Sequence, residues 1–169
     1  MDFEKLLQKA QASRFGMWKL NFLLHRFIPF NRPHNLTIKS ITKSEVKVEI
    51  PYQKSNLNHI KGLHACGLAT VAEYASGLLL LYKLGVKKYR IIMESIHVEY
   101  HYQGKKSATA VYTLSDEELE KEILAVLEKE GKATKECEIG VFDADQNKLC
   151  TVTTMWQIKS WEKVKTKVD

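Results

Sequence analysis

The sequence is poor in the features that fix a small fold covalently or send a chain out of the cell. Its three cysteines, Cys66, Cys137 and Cys150, are odd in number, widely spaced and without a CxxC pair. That excludes a disulfide framework and a recognisable zinc site, and it favours a reducing, cytoplasmic compartment. No signal-peptide core is evident near the amino terminus, because Lys5, Lys9, Arg14 and Lys19 interrupt every apolar stretch there, so secretion is not expected. None of the familiar nucleic-acid reading spacings is present, and nucleic acid is not an expected partner.

What is present fits one globular domain. The 169 residues are 44% hydrophobic and 27% charged, and folding a chain of this size buries roughly 68–70% of its unfolded surface, enough for a core without staples. The net charge of +6 is uneven: residues 1–54 carry +6, residues 55–114 carry +4 and residues 115–169 carry −4. This leaves an anionic small molecule or an acidic partner open.

Residues 2–28 read as helical, with one apolar stripe at Phe3, Leu6, Leu7 and Ala10 and a second, broader one from Met17 to Ile28. The second stripe needs a cover, which the body of the domain, a second subunit, an apolar substrate or a membrane surface could provide. Pro29 and Pro33 break into the next unit, dividing the chain into a helical extension over 1–33 and a main domain over 34–160. The period then changes to two, and 35–42 and 45–51 read as an antiparallel pair. A loop follows at 52–63, then a very apolar helix at 65–83 closed by Gly85.

That helix has a single charge, Glu73, in the eighteen residues from Ala65 to Tyr82, and its small side chains favour a buried helix over a membrane span. Residues 90–102 read as a strand with Ile92, Ile96, Val98, Tyr100 and Tyr102 on one face, turning at Gly104 into a partner strand at 106–114. Ser115 and Glu118 have capping-box spacing and open a helix closed by Gly131. Strands at 132–142 and 148–159 flank a polar turn at 143–147, and the tail from Lys163 frays. The expected class is α+β: an antiparallel sheet of about six strands around one apolar helix, which also needs a second subunit or the N-terminal helices to cover it.

The chemistry gathers at that helix. Asn58-His59-Ile60-Lys61-Gly62-Leu63-His64-Ala65-Cys66-Gly67 brings polar and small residues to its first turn, where unpaired N–H groups favour developing negative charge. Glu73 is costly among Val71, Ala72 and Ala75 unless it is paired or wet. Desolvation raises the pKa of such a group and suits it to act as a general base, whereas a structural ion pair or a hydrogen bond across a dimer would give it a packing role. His64 and Cys66 stand two residues apart and do not form a nucleophilic pair on a helix. His97 and His101 are too far apart along a strand for one metal, so no metal or cofactor is expected. Lys87, Lys88 and Arg90 could meet phosphates or simply be solvated.

The stretch Asn58 to Gly77 resembles the signature of hotdog-fold thioesterases of the phenylacetate-degradation (PaaI-like) type. In those enzymes an Asn precedes a His-Gly-Gly helix start and an acidic residue follows nine positions after the His; here these are Asn58, His64 and Glu73, the last in Val-Ala-Glu-Tyr-Ala-Ser-Gly. The sequence departs in having Ala65 and Cys66 for the two glycines and Glu for Asp. It also offers no identifiable Ser or Thr helper after the helix. The resemblance implies a hotdog fold, a homodimer that could pair further into a tetramer, active sites at the subunit interface, and a thioester of coenzyme A or acyl carrier protein as substrate. Glu73 would be the base or nucleophile, the Ala65 N–H would hold the thioester oxygen, His64 would fix the turn, and Asn58 would orient water or the carbonyl. Lys87, Lys88 and Arg90 would meet the coenzyme A phosphates. Two rival readings remain: a dehydratase or isomerase on acyl thioesters, with a histidine such as His97 as second acid, and a dimer that binds acyl ligands without catalysis.

Overall fold

A computed structural model of the chain describes residues 3–164; the tail expected to fray beyond Lys163 falls largely outside these residues, as does the start of the first helix at Asp2. Two helices, α1 (Phe3–Ala12) and α2 (Arg14–Phe27), are joined at Ser13, whose side chain accepts from the Gly16 N–H at 3.0 Å and caps α2. Leu6, Leu7 and Ala10 of α1 and Leu20 and Leu24 of α2 are buried and join the main core. The helices approach closely at Gly16: a Cβ there would stand 1.9 Å from the Lys9 carbonyl oxygen. Because that neighbour is backbone, Gly16→Ala should destabilise the chain by about 3 kcal/mol or undock α1, read as a lower midpoint in thermal unfolding.

The remainder is β1 (Thr37–Ile41), β2 (Glu45–Ile50), α3 (Ala65–Leu84), β3 (Tyr89–Tyr100), β4 (Ala108–Thr113), α4 (Asp116–Glu118), a π-helical stretch (Leu119–Leu124), α5 (Ala125–Glu130), β5 (Lys132–Asp143) and β6 (Lys148–Ser160). Gly85, at φ +79°, stops α3 and Gly131, at φ +72°, stops α5, conformations that glycine adopts without a Cβ clash. The Ser115–Glu118 capping box is formed. The strands make one antiparallel sheet in the order β1-β2-β4-β5-β6-β3. α3 lies against it, burying Leu68, Val71, Ala75 and Leu79 among others. It is the one helix among the described residues long and apolar enough to cross a membrane, and here it is the centre of a hotdog fold.

Two expectations for β3 are corrected. Its partner is β6, not the strand after Gly104; β4 instead pairs with β2 and β5. β6 offers a ladder running from Tyr89 opposite Ser160 to Tyr100 opposite Cys150, whereas β4 has only six residues. Gly104 makes no tight turn; its carbonyl accepts from the Leu63 N–H at 2.8 Å and ties the connector to the loop before α3. The register also slips between Met93 and Ser95, and a bulge reverses which residues face the sheet interior. Ile92 therefore falls on the face opposite Ile96, Val98 and Tyr100.

The two edges of the sheet differ. At β1, Asn21 of α2 binds both sides of Ile38, its Nδ2 donating to the carbonyl at 3.1 Å and its Oδ1 accepting from the N–H at 2.7 Å, and His25 Nε2 lies 2.6 Å from the Leu36 carbonyl. At β3 no described residue covers the outer edge. Ile92, Ile96 and Tyr100 are 46%, 39% and 51% exposed there, so a twelve-residue edge strand with apolar side chains is open to pairing.

Candidate functional site

The start of α3 is built around His64. Its Nδ1 accepts from the Cys66 N–H at 3.1 Å, and its carbonyl accepts from Gly67 and Leu68. The Ala65 N–H has no hydrogen-bond partner among the described residues, and Ala65 is exposed. It is thus a free donor at the positive end of a twenty-residue helix.

Asn56, which carried no signal in the sequence beyond lying in a loop, sets this turn. It is 2% exposed; its carbonyl accepts from the His64 N–H at 2.8 Å, its Nδ2 donates to the His34 and Pro51 carbonyls, both at 2.9 Å, and its Oδ1 is 3.0 Å from His34 Nδ1. The Tyr100 hydroxyl donates to the Ala65 carbonyl at 3.0 Å, fastening the open edge strand to the same turn.

Asn58 lies beside it. Its Oδ1 is committed to the loop, accepting from Ile60 and Gly62 N–H groups at 3.1 and 3.0 Å. Its amide nitrogen is free of partners among the described residues. A cavity of about 330 Å³ opens there, lined by Asn58, Ala65, Leu68, Tyr100 and Tyr102.

Glu73 lies elsewhere. It lies eight helical steps beyond Ala65, about 12 Å along the axis. It borders an apolar cavity of about 510 Å³ whose walls include Leu24, Phe27, Phe30, Gly77 and Trp156. Among the described residues no side chain donates to its carboxylate and no cation pairs with it. Burial pushes its pKa up from the ordinary carboxylate value. An internal ion pair, one of the packing roles open from sequence, is therefore not what holds it.

Trp156 stacks where Gly77 leaves room: a Cβ at Gly77 would stand 2.9 Å from the indole and 3.8 Å from Glu73 Oε1. The indole N–H donates to Thr154 Oγ1 at 2.9 Å and to Ser76 Oγ at 3.2 Å, and Ser76 Oγ donates to the Glu73 carbonyl at 3.1 Å. No local pattern points to this network, since Trp156 and Glu73 are far apart in the chain.

One chain therefore brings Asn58, His64 and Ala65 together and leaves Glu73 in a different cavity that shares no lining residue with theirs. Lys87 and Lys88 follow the far end of α3. They line a cavity of about 410 Å³ that shares Phe3, Leu81 and Val86 with the Glu73 cavity, so these ammonium groups sit toward the carboxylate rather than toward Ala65. Arg90 is turned onto the sheet, donating to Gln157 Oε1 at 3.1 Å. His97 Nε2 is 3.8 Å from Glu99 Oε1 on the open strand.

Residues 16–158 match the family described as "Domain of unknown function (DUF4442)". The curated proteins contain no match in sequence. Among solved structures, a Pseudomonas aeruginosa protein of unknown function described as a probable thioesterase superposes with a TM-score of 0.78 at 21% identity, over 84% of this chain and 95% of that one. A Haemophilus influenzae thioesterase superposes with a TM-score of 0.69 at 12% identity, over 89% and 94%. A Pseudomonas aeruginosa thioesterase carrying a glutamine-to-alanine substitution gives 0.67 at 11%, over 85% and 94%. Likeness at these identities is likeness of fold.

Proposed function

The chain belongs to the DUF4442 family, and from that premise we propose that it is an acyl thioester hydrolase acting as a homodimer. The observation that carries this reading is Glu73: a carboxylate with no partner among the described residues, raised in pKa by burial, at the wall of an apolar cavity. Packing alone does not account for such a group, and a desolvated carboxylate with a raised pKa is suited to take a proton as a general base.

The open β3 edge supports the second half of the proposal. Two copies joined edge to edge about a twofold axis would complete each other's sheet, cover Ile96 and Tyr100, and place the Ala65 turn of one protomer against the partner's interior. The site would then be shared. Water held by Glu73 of one protomer attacks the thioester carbonyl carbon as the carboxylate takes its proton. The oxyanion that forms is held by the Ala65 N–H of the other protomer, with the Asn58 side-chain amide donating beside it. The intermediate collapses by breaking the C–S bond, and the proton on Glu73 passes to the leaving thiolate, giving a free acid and a thiol. The acyl chain occupies the apolar cavity of Phe27, Phe30 and Trp156.

A coenzyme A carrier fits Lys87 and Lys88, whose ammonium groups are exposed near that cavity. Arg90 fits less well, being engaged with Gln157. The three free thiols accord with a cytoplasmic location.

Incubation with acyl-coenzyme A esters of increasing chain length, reading released thiol with a chromogenic disulfide, tests the proposal. Turnover that rises with aliphatic chain length is expected. No thiol release from any ester, with the protein folded and dimeric, would overturn it.

A further inference from the structure

We infer that the outer face of α2 is a docking surface for an anionic lipid membrane. α2 turns Gly16, Leu20 and Leu24 inward, so the face pointing away from the core carries Phe15, Trp18 and Phe22. These are 71%, 59% and 60% exposed. Their rings stack in file, with centroids 5.7 Å apart for each successive pair and interplanar angles of 22° and 17°. Three large aromatic rings held together in water form an apolar patch of the kind that marks an interaction site rather than a scattered surface residue.

Charge identifies the partner. From Lys5 to Ser44 the sequence contains eight Lys and Arg and no Asp or Glu. On α2 itself Arg14, Lys19 and Arg26 border the aromatic file, all exposed. Indole and phenyl rings flanked by cations on an exposed helix face match the headgroup boundary of an anionic bilayer: the rings enter the interface and the cations meet lipid phosphates. Beside the file runs a groove of about 900 Å³ between α2 and β1, bordered by Trp18, Phe22 and Arg14, which offers a lipid an apolar wall and a cation; Lys39 on its β1 side is held by Glu49 at 3.3 Å. A second copy of this chain would serve poorly as the occupant, because it would set one acid-free cationic segment against another.

Co-sedimentation of the full chain with vesicles tests the docking without any turnover. Binding is expected to vesicles of equimolar phosphatidylcholine and phosphatidylserine and not to phosphatidylcholine alone, and added salt should weaken it. The double variant Trp18→Ala/Phe22→Ala should bind at least about tenfold more weakly. Arg14→Gln and Lys19→Gln should each cost about fivefold. All should keep the wild-type unfolding midpoint, since these side chains point to solvent. Absence of wild-type binding, or binding unchanged in these variants, would overturn the inference. So would a higher oligomer of the free protein that Trp18→Ala/Phe22→Ala dissolves, because a second copy would then own the face. Hydrolysis of a short, freely soluble acyl-coenzyme A should be unaffected in that variant. Vesicle binding with no hydrolysis would count against the thioesterase reading alone.

Discussion

Glu73→Gln should lower kcat for thioester hydrolysis about 10³-fold, within the range lost when a positioned general base is removed, with little change in KM. The amide keeps the shape of the carboxyl group and its place beside Gly77 and Trp156, so the cavity persists and the substrate still binds. The same variant should be more stable than the wild type at neutral pH. Burial raises the folded-state pKa of Glu73, so the native state holds this proton more tightly than the unfolded chain does. Wild-type stability therefore falls as pH rises from the ordinary carboxylate value to the raised one, and the deficit persists above it. Below the ordinary value both states are protonated and the difference between wild type and variant vanishes. Thermal unfolding across that range checks the sign. In the wild type the acidic limb of kcat should lie above the ordinary glutamate range, since only the ionised form accepts a proton from water.

Ala65→Pro should be the second large loss, about 10²–10³ in kcat, the amount associated with deleting one oxyanion donor. The substitution is unusually clean. Proline is favoured at the first position of a helix, where its missing N–H is not needed for the fold, and the Ala65 N–H has no partner among the described residues. The preceding residue must be extended, and His64 already has φ −66° and ψ 136°. The unfolding midpoint should therefore hold or rise slightly, because proline restricts the unfolded chain. A large fall in stability with activity proportionate to the folded fraction would mean that Ala65 is structural and not a donor to substrate.

Much of this molecule was legible from residues alone, and the parts that were not share a cause. The central helix announced itself by its apolar run and by Gly85, the Ser115 cap by its spacing to Glu118, and Glu73 by its cost in such surroundings. All of these are local signals. The partner of β3 was not legible, because strand pairing is decided by ladder length and by where the 101–107 connector is tethered, and both depend on residues distant in sequence. The bulge between Met93 and Ser95 is likewise set by β6 and moved Ile92 to the other face. Asn56 looked like an ordinary loop residue until its bonds to His34, Pro51 and His64 were seen. The separation of Glu73 from Ala65 was implicit in the helical rise, whereas how copies of the chain assemble leaves no local signal in the sequence.

The most direct test of the proposed shared site is subunit complementation. Glu73→Gln and Ala65→Pro proteins, each inactive alone, are mixed, dissociated and reassembled, with distinguishable tags to confirm that mixed dimers form. In a mixed dimer one of the two sites draws its carboxylate and its N–H from unaltered residues, so an equal mixture should recover about a quarter of wild-type turnover. Mixed dimers that form and stay as inactive as their parents would contradict a site divided between two copies.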